Sequence, residues 1–154
     1  LHLKIPFWQI AKLFNAQILE YTIRHGFDLS NKEGLGDEPI LTTTKDNHSL
    51  SVEGSILFRI DKAKAPELWE HVGDNFVSKV IRPYARSRIN HVFSQINAKD
   101  ISLSRSQIET TLKDELNRLF MDKALAVEGV LLSEVKILDK AKVGEEKVIF
   151  QNPS

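Results

Sequence analysis

Histidines and carboxylates are the first side chains to consider for catalysis, because they transfer protons near neutral pH. The chain has five histidines, spread along its length: His2, His25, His48, His71 and His91. Asp46 and His48 could be written as an acid–base pair, but turn formers surround them and no nucleophile stands nearby in sequence. We interpret them as turn residues. A hydrolase centred on His48 or His71 is a competing hypothesis.

Other catalytic and cofactor motifs are missing from the sequence. There is no cysteine, which excludes disulfides, thiol catalysis and cysteine-bound zinc. Gly34-Leu35-Gly36 lacks the partner glycine and the strand-to-helix setting of a phosphate-binding loop. Neither a serine elbow nor a paired-histidine zinc helix is present. The sequence therefore predicts a protein that is not an enzyme and needs no cofactor or metal.

A basic stretch is the most pointed local feature. On a helix, Lys79, Arg82 and Arg86 would share one side. They could form a solvated face that pairs with carboxylates of the chain. Alternatively, they could bind lipid headgroups or an acidic partner surface. Arg88 falls at the edge of the apolar face, where an arginine must find a carboxylate or backbone carbonyls, so we expect a structural anchor there.

The composition indicates a globular protein and argues against a nucleic-acid-binding or membrane-spanning chain. The 154 residues include 21 basic and 21 acidic side chains, so the net charge is zero. A hydrophobic share of 42% with 27% charged residues is typical of a globular protein, and the length fits one ordinary domain or two small intertwined subdomains. A neutral chain has no overall field that would attract it to nucleic acid, and we expect no such partner. No apolar run approaches the roughly 18 residues that a membrane-spanning helix needs.

The clearest element is a strand at residues 50–60, where apolar and polar residues alternate. Val52, Ile56 and Phe58 are predicted to face the helices. Gly54, in the middle of this strand, suggests a bulge or a close backbone approach. Residues 40–44 form a second strand, and the turn formers after it predict a β-hairpin.

Earlier segments are less regular. Alternation predicts a short strand at residues 1–5, and β-branched and aromatic residues predict one or two strands within residues 10–23. Residues 24–39 are rich in glycine and acidic side chains, and we interpret them as a mobile surface loop.

The second part of the chain is helical. Asp74 is predicted to cap a helix over residues 75–96, with a kink or two abutting helices at Pro83. Ser104 and Gln107 fit a capping box for a second helix, over residues 105–127, which Gly129 would end.

Met121 and Leu125 lie four residues apart in that second predicted helix, away from its main apolar stripe. A helix that is apolar on two sides needs two surfaces to pack against. The second could be the sheet of the same chain or another subunit. A final strand follows at residues 130–138, and residues 139–154 form a charged tail or linker. Strands, then helices, then one strand predict an α+β fold, with an antiparallel-rich sheet packed against both helices.

Four segments resemble the SPFH (band 7) domain of the stomatin, prohibitin and flotillin superfamily, in order and in spacing. The first resembles the strand and proline that open the domain, the second its central hairpin, the third its kinked helix and the fourth its closing strand. They are Leu1-His2-Leu3-Lys4-Ile5-Pro6-Phe7; Leu41-Thr42-Thr43-Thr44-Lys45-Asp46 leading into Leu50-Ser51-Val52 and Leu57-Phe58-Arg59-Ile60; Ile81-Arg82-Pro83-Tyr84-Ala85-Arg86-Ser87-Arg88-Ile89; and Glu128-Gly129-Val130-Leu131-Leu132-Ser133-Glu134-Val135-Lys136-Ile137.

The resemblance implies a domain over residues 1–138, with a β-rich part at 1–62 and the helices and final strand at 63–138. It further implies a non-enzymatic scaffold that self-assembles into homo- or hetero-oligomers. Such proteins are anchored to a membrane by a segment outside the domain. The loop at residues 24–39 is longer than in stomatins and resembles the corresponding loop of bacterial family members that regulate membrane proteases. The resemblance therefore implies a membrane protease as a partner. A binding module for an anionic ligand is the alternative.

Overall fold

The computed structural model describes residues 18–30, 35–61, 77–138 and 146–152. These form the predicted α+β fold, a six-stranded, mostly antiparallel sheet with two helices packed on one face. The strands are β1 (Leu19–Ile23), β2 (Gly36–Asp37), β3 (Ile40–Thr43), β4 (Ser49–Ile60), β5 (Leu125–Leu138) and β6 (Glu146–Gln151). The helices are α1 (Arg82–Phe93) and α2 (Arg105–Met121).

Strand β4 is the centre of the sheet. One side pairs with β5 along its whole length, and the other side pairs first with β3 and then with β1, always antiparallel. Strand β2 lies parallel to β1, and β6 lies antiparallel to β5. Val52, Ile56 and Phe58 are buried beneath the helices, as their spacing predicted. The hairpin of β3 and β4 is likewise confirmed.

Gly54 shows both features that its position suggested. The pairing of β4 with β5 shifts register between Glu53 and Gly54, which is a bulge. A Cβ atom at position 54 would stand 2.4 Å from the carbonyl oxygen of Leu131, so no side chain fits without moving the backbone. Only glycine allows β5 to approach this closely.

The second helix is shorter than predicted. It ends at Met121 rather than at residue 127, because Ala124 adopts a left-handed conformation with φ of 62° and Leu125 already begins β5. Strand β4 is long enough to pair with β5 from Leu125 onward, and this pairing overrides the helical pattern. Gly129 therefore lies within a strand opposite Leu57 and does not cap a helix.

The pairing of Met121 with Leu125 on one helix face is consequently wrong. Leu125 is a strand residue with 1% of its surface exposed, whereas Met121 ends α2 and is 51% exposed. Only Met121 remains available at the surface. At the other end of α2, Ser104 holds the cap position, but its side chain makes no capping hydrogen bond, so the capping box is also wrong.

Pro83 is the second residue of α1 and follows a π-helical turn over Val77–Ile81. The chain thus changes from π-helical to α-helical geometry one residue before the proline. The residues before Pro83 are themselves helical, so the proline, which has no backbone N–H, interrupts the hydrogen-bond ladder where π-helical geometry gives way to α-helical geometry.

Two further segments differ from expectation. The predicted loop at residues 24–39 contains β2, and the predicted tail at residues 139–154 contains β6. The expected strand at residues 1–5, the Asp74 cap and His71 lie outside the described residues. Within the part of the chain that the structure describes, no helix has the length and hydropathy needed to cross a bilayer.

Candidate functional site

Asp37 is the centre of the basic region that the sequence indicated. Its carboxylate is 1% exposed and accepts two hydrogen bonds from Arg86, from Nε to Oδ2 and from Nη2 to Oδ1, both 2.6 Å long. Arg82 stands at the same carboxylate, with Nε 4.0 Å from Oδ1, and donates from Nη2 to the carbonyl oxygen of Gly36 at 2.8 Å. We call Asp37, Arg82 and Arg86 the Asp37 latch. It fastens β2, at the sheet edge, to α1.

The local backbone brings Asp37 to this place. Thr22 donates its N–H to the carbonyl of Leu35, and Arg24 donates to the carbonyl of Asp37, so β2 lies directly along β1. Gly36 permits this contact, because a Cβ atom there would stand 2.2 Å from the carbonyl oxygen of Thr22. The two arginines are four residues apart, which places them on one side of α1.

The side chains in and beside the Asp37 latch keep their protonation states near neutral pH and are not suited to proton transfer. Burial raises the pKa of the Tyr21 phenol above its usual range, the charge of Asp37 adds to this rise, and the two arginines oppose it. Hydrogen bonding to Asp37 raises the pKa of the Arg86 guanidinium. Tyr21 is therefore neutral and Arg86 charged near neutral pH, so neither can serve as a general base.

The three basic residues of the predicted face thus have different surroundings. Arg82 and Arg86 bind a carboxylate of the chain, although half of the Arg86 side chain remains exposed. Lys79 lies in the π-helical turn, and its side chain is exposed. Much of the positive charge that an anionic ligand would need is therefore balanced by Asp37.

Arg88 is half-buried between α1 and α2. Its Nη1 atom lies 4.0 Å from Oε2 of Glu115, and its Nη2 atom donates to the hydroxyl of Ser87 at 3.2 Å. The Nε atom of Arg88 and the Oε2 atom of Glu115 are buried, and neither has a hydrogen bond. The contact is consequently looser than that between Arg86 and Asp37.

Asp46 and His48 lie together in the hairpin turn, 3.6 Å apart. Asp46 Oδ1 accepts from the hydroxyl of Thr44 at 2.6 Å and from the N–H of Ala98 at 3.1 Å. These hydrogen bonds, the one from Thr44 first, lower the pKa of the Asp46 carboxyl. Asp46 therefore ties the turn to the segment after α1.

A second polar cluster joins the start of α2 to β5 and β6. Arg105 donates from Nη2 to the carbonyl of Leu132 at 2.5 Å and to the side-chain oxygen of Asn152, and its guanidinium lies 4.6 Å from the ring centre of Phe150. Glu109 accepts the N–H of Leu132 at 2.7 Å. We call Arg105 and Glu109 the Arg105 clamp.

A cavity of about 250 Å³ lies between α1 and α2. Val92, Ile96 and Ile108 contribute apolar surface to it, and amides, hydroxyls, His91 and Glu115 line the remainder. Among the described residues, no group of three or more histidines and carboxylates could hold a metal ion. The polar clusters described above, around Asp37 and Arg105, connect the strands to the helices.

Sequence reasoning missed Asp37 and the Arg105 clamp. Asp37 belongs to an acidic, glycine-rich segment whose composition is typical of a loop. Arg105 and Glu109 resemble solvated helix residues, and only the position of β5 shows that they bind its backbone. Gly36 carries a weak signal, since a glycine directly before an acid permits a close backbone contact beside a charge.

Comparison with known proteins gives two matches. A model of the SPFH domain / Band 7 family matches residues 1–144. Prohibitin-2 of Gallus gallus is 21% identical over 94 residues, which are 61% of this chain and 31% of that protein. The matched segment thus spans about a third of the length of this relative.

Proposed function

This chain belongs to the SPFH domain / Band 7 family, and we propose that it is a non-enzymatic scaffold and assembly domain of a membrane-anchored protein. The family match over residues 1–144 carries the proposal, because members of this family are typically membrane-associated scaffolds that form oligomers. We further propose that residues 1–138 form the domain and that its partners include other copies of the chain and a membrane protease.

The latch and the clamp support an assembly role. A domain that assembles repeatedly must present its surfaces in a fixed geometry, and rigid elements do this better than loops. Asp37 fixes the β2 edge to α1, and Arg105 connects α2 to Leu132 of β5, to Phe150 of β6 and to Asn152 just after it. Both clusters form their hydrogen bonds with neighbouring strands of the same chain.

Tethering tests the proposal. The chain has no cysteine, so Leu103→Cys gives one exposed labelling position for a donor or an acceptor dye. A polyhistidine tag at the N-terminus would attach it to phosphatidylcholine vesicles that contain a nickel-chelating lipid. We expect weak energy transfer in solution and strong transfer on vesicles, because tethering raises local concentration and lets weak contacts add. Transfer no stronger than that of an unrelated tethered monomer would refute self-assembly.

The alternative, an anionic-ligand or lipid-headgroup module, uses Lys79, Arg82 and Arg86. The exposed Lys79 is the feature that favours it. It predicts that the untagged chain binds phosphatidylserine vesicles, that salt weakens this binding and that Lys79→Gln abolishes it. Because Asp37 balances charge on the two arginines, we expect no such binding at physiological salt.

A further inference from the structure

Two edges of the sheet, β3 and β6, lie at opposite ends of one row of side chains. Leu41 pairs with Ser51, Ser51 with Lys136, and Lys136 with Val148, so this row crosses β3, β4, β5 and β6 in turn. Directly paired residues point to the same face of a sheet, and this is the face turned away from the helices. We call it the outer face.

Both ends of this row are apolar and exposed. Leu41 on β3 is 67% exposed, and Val148 on β6 is 43% exposed. Within residues 18–30, 35–61, 77–138 and 146–152, no strand pairs with the far side of β3 or of β6. Unpaired backbone groups on a strand edge are a template for another strand, and proteins often protect such edges with charged residues or proline. The four residues of β3 include neither, whereas β6 begins with Glu146 and Lys147 and is uncharged from Val148 to Gln151.

We propose that copies of this chain join edge to edge, with β6 of one copy adding to β3 of the next and Val148 lying beside the neighbouring copy's Leu41. This inference rests on the proposed function, and it names the surfaces that the assembly uses.

Strand direction makes the two edges complementary. Strands β3 to β6 alternate in direction along the row, since each is antiparallel to its neighbour. A β3 strand placed next to β6 in the same orientation as the first copy therefore continues the alternation. The pairing of β5 with β6 shifts register between Val135 and Lys136, so with Val148 beside Leu41 of the next copy, Ile149 lies opposite that copy's Ile40.

A second copy is the occupant that fits, because one chain carries both edges. The contact joins two different surfaces, so it repeats from copy to copy and makes a ring where the rotation closes. Strand twist supplies a rotation at each step. A pairing limited by the four residues of β3 buries far less than the roughly 1,200 Å² of a stable interface, so it needs a high local concentration.

Engineered cysteines test these surfaces directly, since the native chain has none. Leu41→Cys and Val148→Cys would be made as separate, N-terminally tagged variants, mixed in equal amounts on the nickel-lipid vesicles and oxidised. We expect disulfide-linked pairs that contain one chain of each variant, formed about tenfold faster than the pairs of a matched control. The control mixes Leu103→Cys, which is 89% exposed outside the sheet, with Val148→Cys.

Each outcome has a definite meaning. Crosslinking that is no faster than the control, while energy transfer between tethered chains persists, would overturn the edge pairing and leave the scaffold function standing. Crosslinking mainly between like variants would also overturn it and point to a symmetric contact. Loss of both crosslinking and energy transfer would refute the proposed function itself.

Discussion

Arg86 grips the buried carboxylate of Asp37 with two hydrogen bonds of 2.6 Å, although 49 residues separate the two in sequence. A planar guanidinium matches a carboxylate in this two-point geometry, which a lysine could not reproduce. The contact explains why a basic helix face, a pattern expected at a ligand surface, can instead hold a sheet edge in place.

Arg86→Met should therefore destabilise the protein more than Arg88→Met. The first change leaves the Asp37 carboxylate buried without its main partner, which typically costs about 3–5 kcal/mol. Arg88 stands 4.0 Å from Oε2 of Glu115, and neither that oxygen nor Nε of Arg88 has a hydrogen bond, so the loss of Arg88 should cost less, about 1–2 kcal/mol. Urea unfolding of the two variants measures the difference. Equal losses would show that the Asp37 latch contributes no more stability than the looser contact between Arg88 and Glu115.

The sequence predicted Arg88 as the structural anchor, and the structure shows in addition that Arg86 has the closer carboxylate. Helical spacing placed Arg86 on an outer side and Arg88 near the core, and both positions were reasonable for an isolated helix. The partner of Arg86 comes from β2, which only tertiary contacts create. Likewise, the helical pattern extended through Leu125, but pairing with β4 made that residue a strand residue.

The alternation of apolar and polar residues predicted strands correctly where consecutive strands pair with each other. The strand β4 and its hairpin with β3 follow directly from period-two spacing and turn residues. The bulge at Gly54 could also be predicted, because a glycine inside a strand often marks a bulge or a close backbone approach.

Gly54→Ala should destabilise the protein by about 1–3 kcal/mol or more, since the new methyl group would overlap the Leu131 carbonyl in a packed sheet. Gly129→Ala is the matched control in the neighbouring strand. Its methyl group would lie 3.9 Å from Cδ1 of Leu57, an ordinary contact, so we expect a change within about 0.5 kcal/mol. Thermal unfolding of both variants distinguishes them. A tolerated alanine at position 54 would mean that β5 lies farther from β4 than described.

Phe58→Ala should lower the free energy of unfolding by about 3–5 kcal/mol, because this ring is fully buried between the sheet and the helices. Leu57→Ala, one residue earlier and on the outer face, should cost about 1 kcal/mol or less. Urea denaturation monitored by far-ultraviolet circular dichroism gives both values. A loss below about 1 kcal/mol for Phe58→Ala would indicate that the faces of β4 are reversed.

Arg105→Gln should loosen β6 without unfolding the domain. The change removes charged hydrogen bonds to Leu132 and Asn152 and the stacking on Phe150. Hydrogen exchange of the amides in β6 should accelerate about tenfold or more, as expected for the loss of roughly 1.4 kcal/mol or more. Arg118→Gln, on an exposed side of α2, is the control and should leave this exchange unchanged. Unaltered exchange in Arg105→Gln would show that strand pairing alone holds β6.

The central claim is that the chain is an assembly domain whose weak contacts add at a membrane. Counting chains per assembly tests it most directly, by stepwise photobleaching of singly labelled Leu103→Cys chains tethered to a supported bilayer. We predict assemblies larger than dimers on the bilayer, which disperse when imidazole releases the tether. Single chains at every surface density would contradict the account.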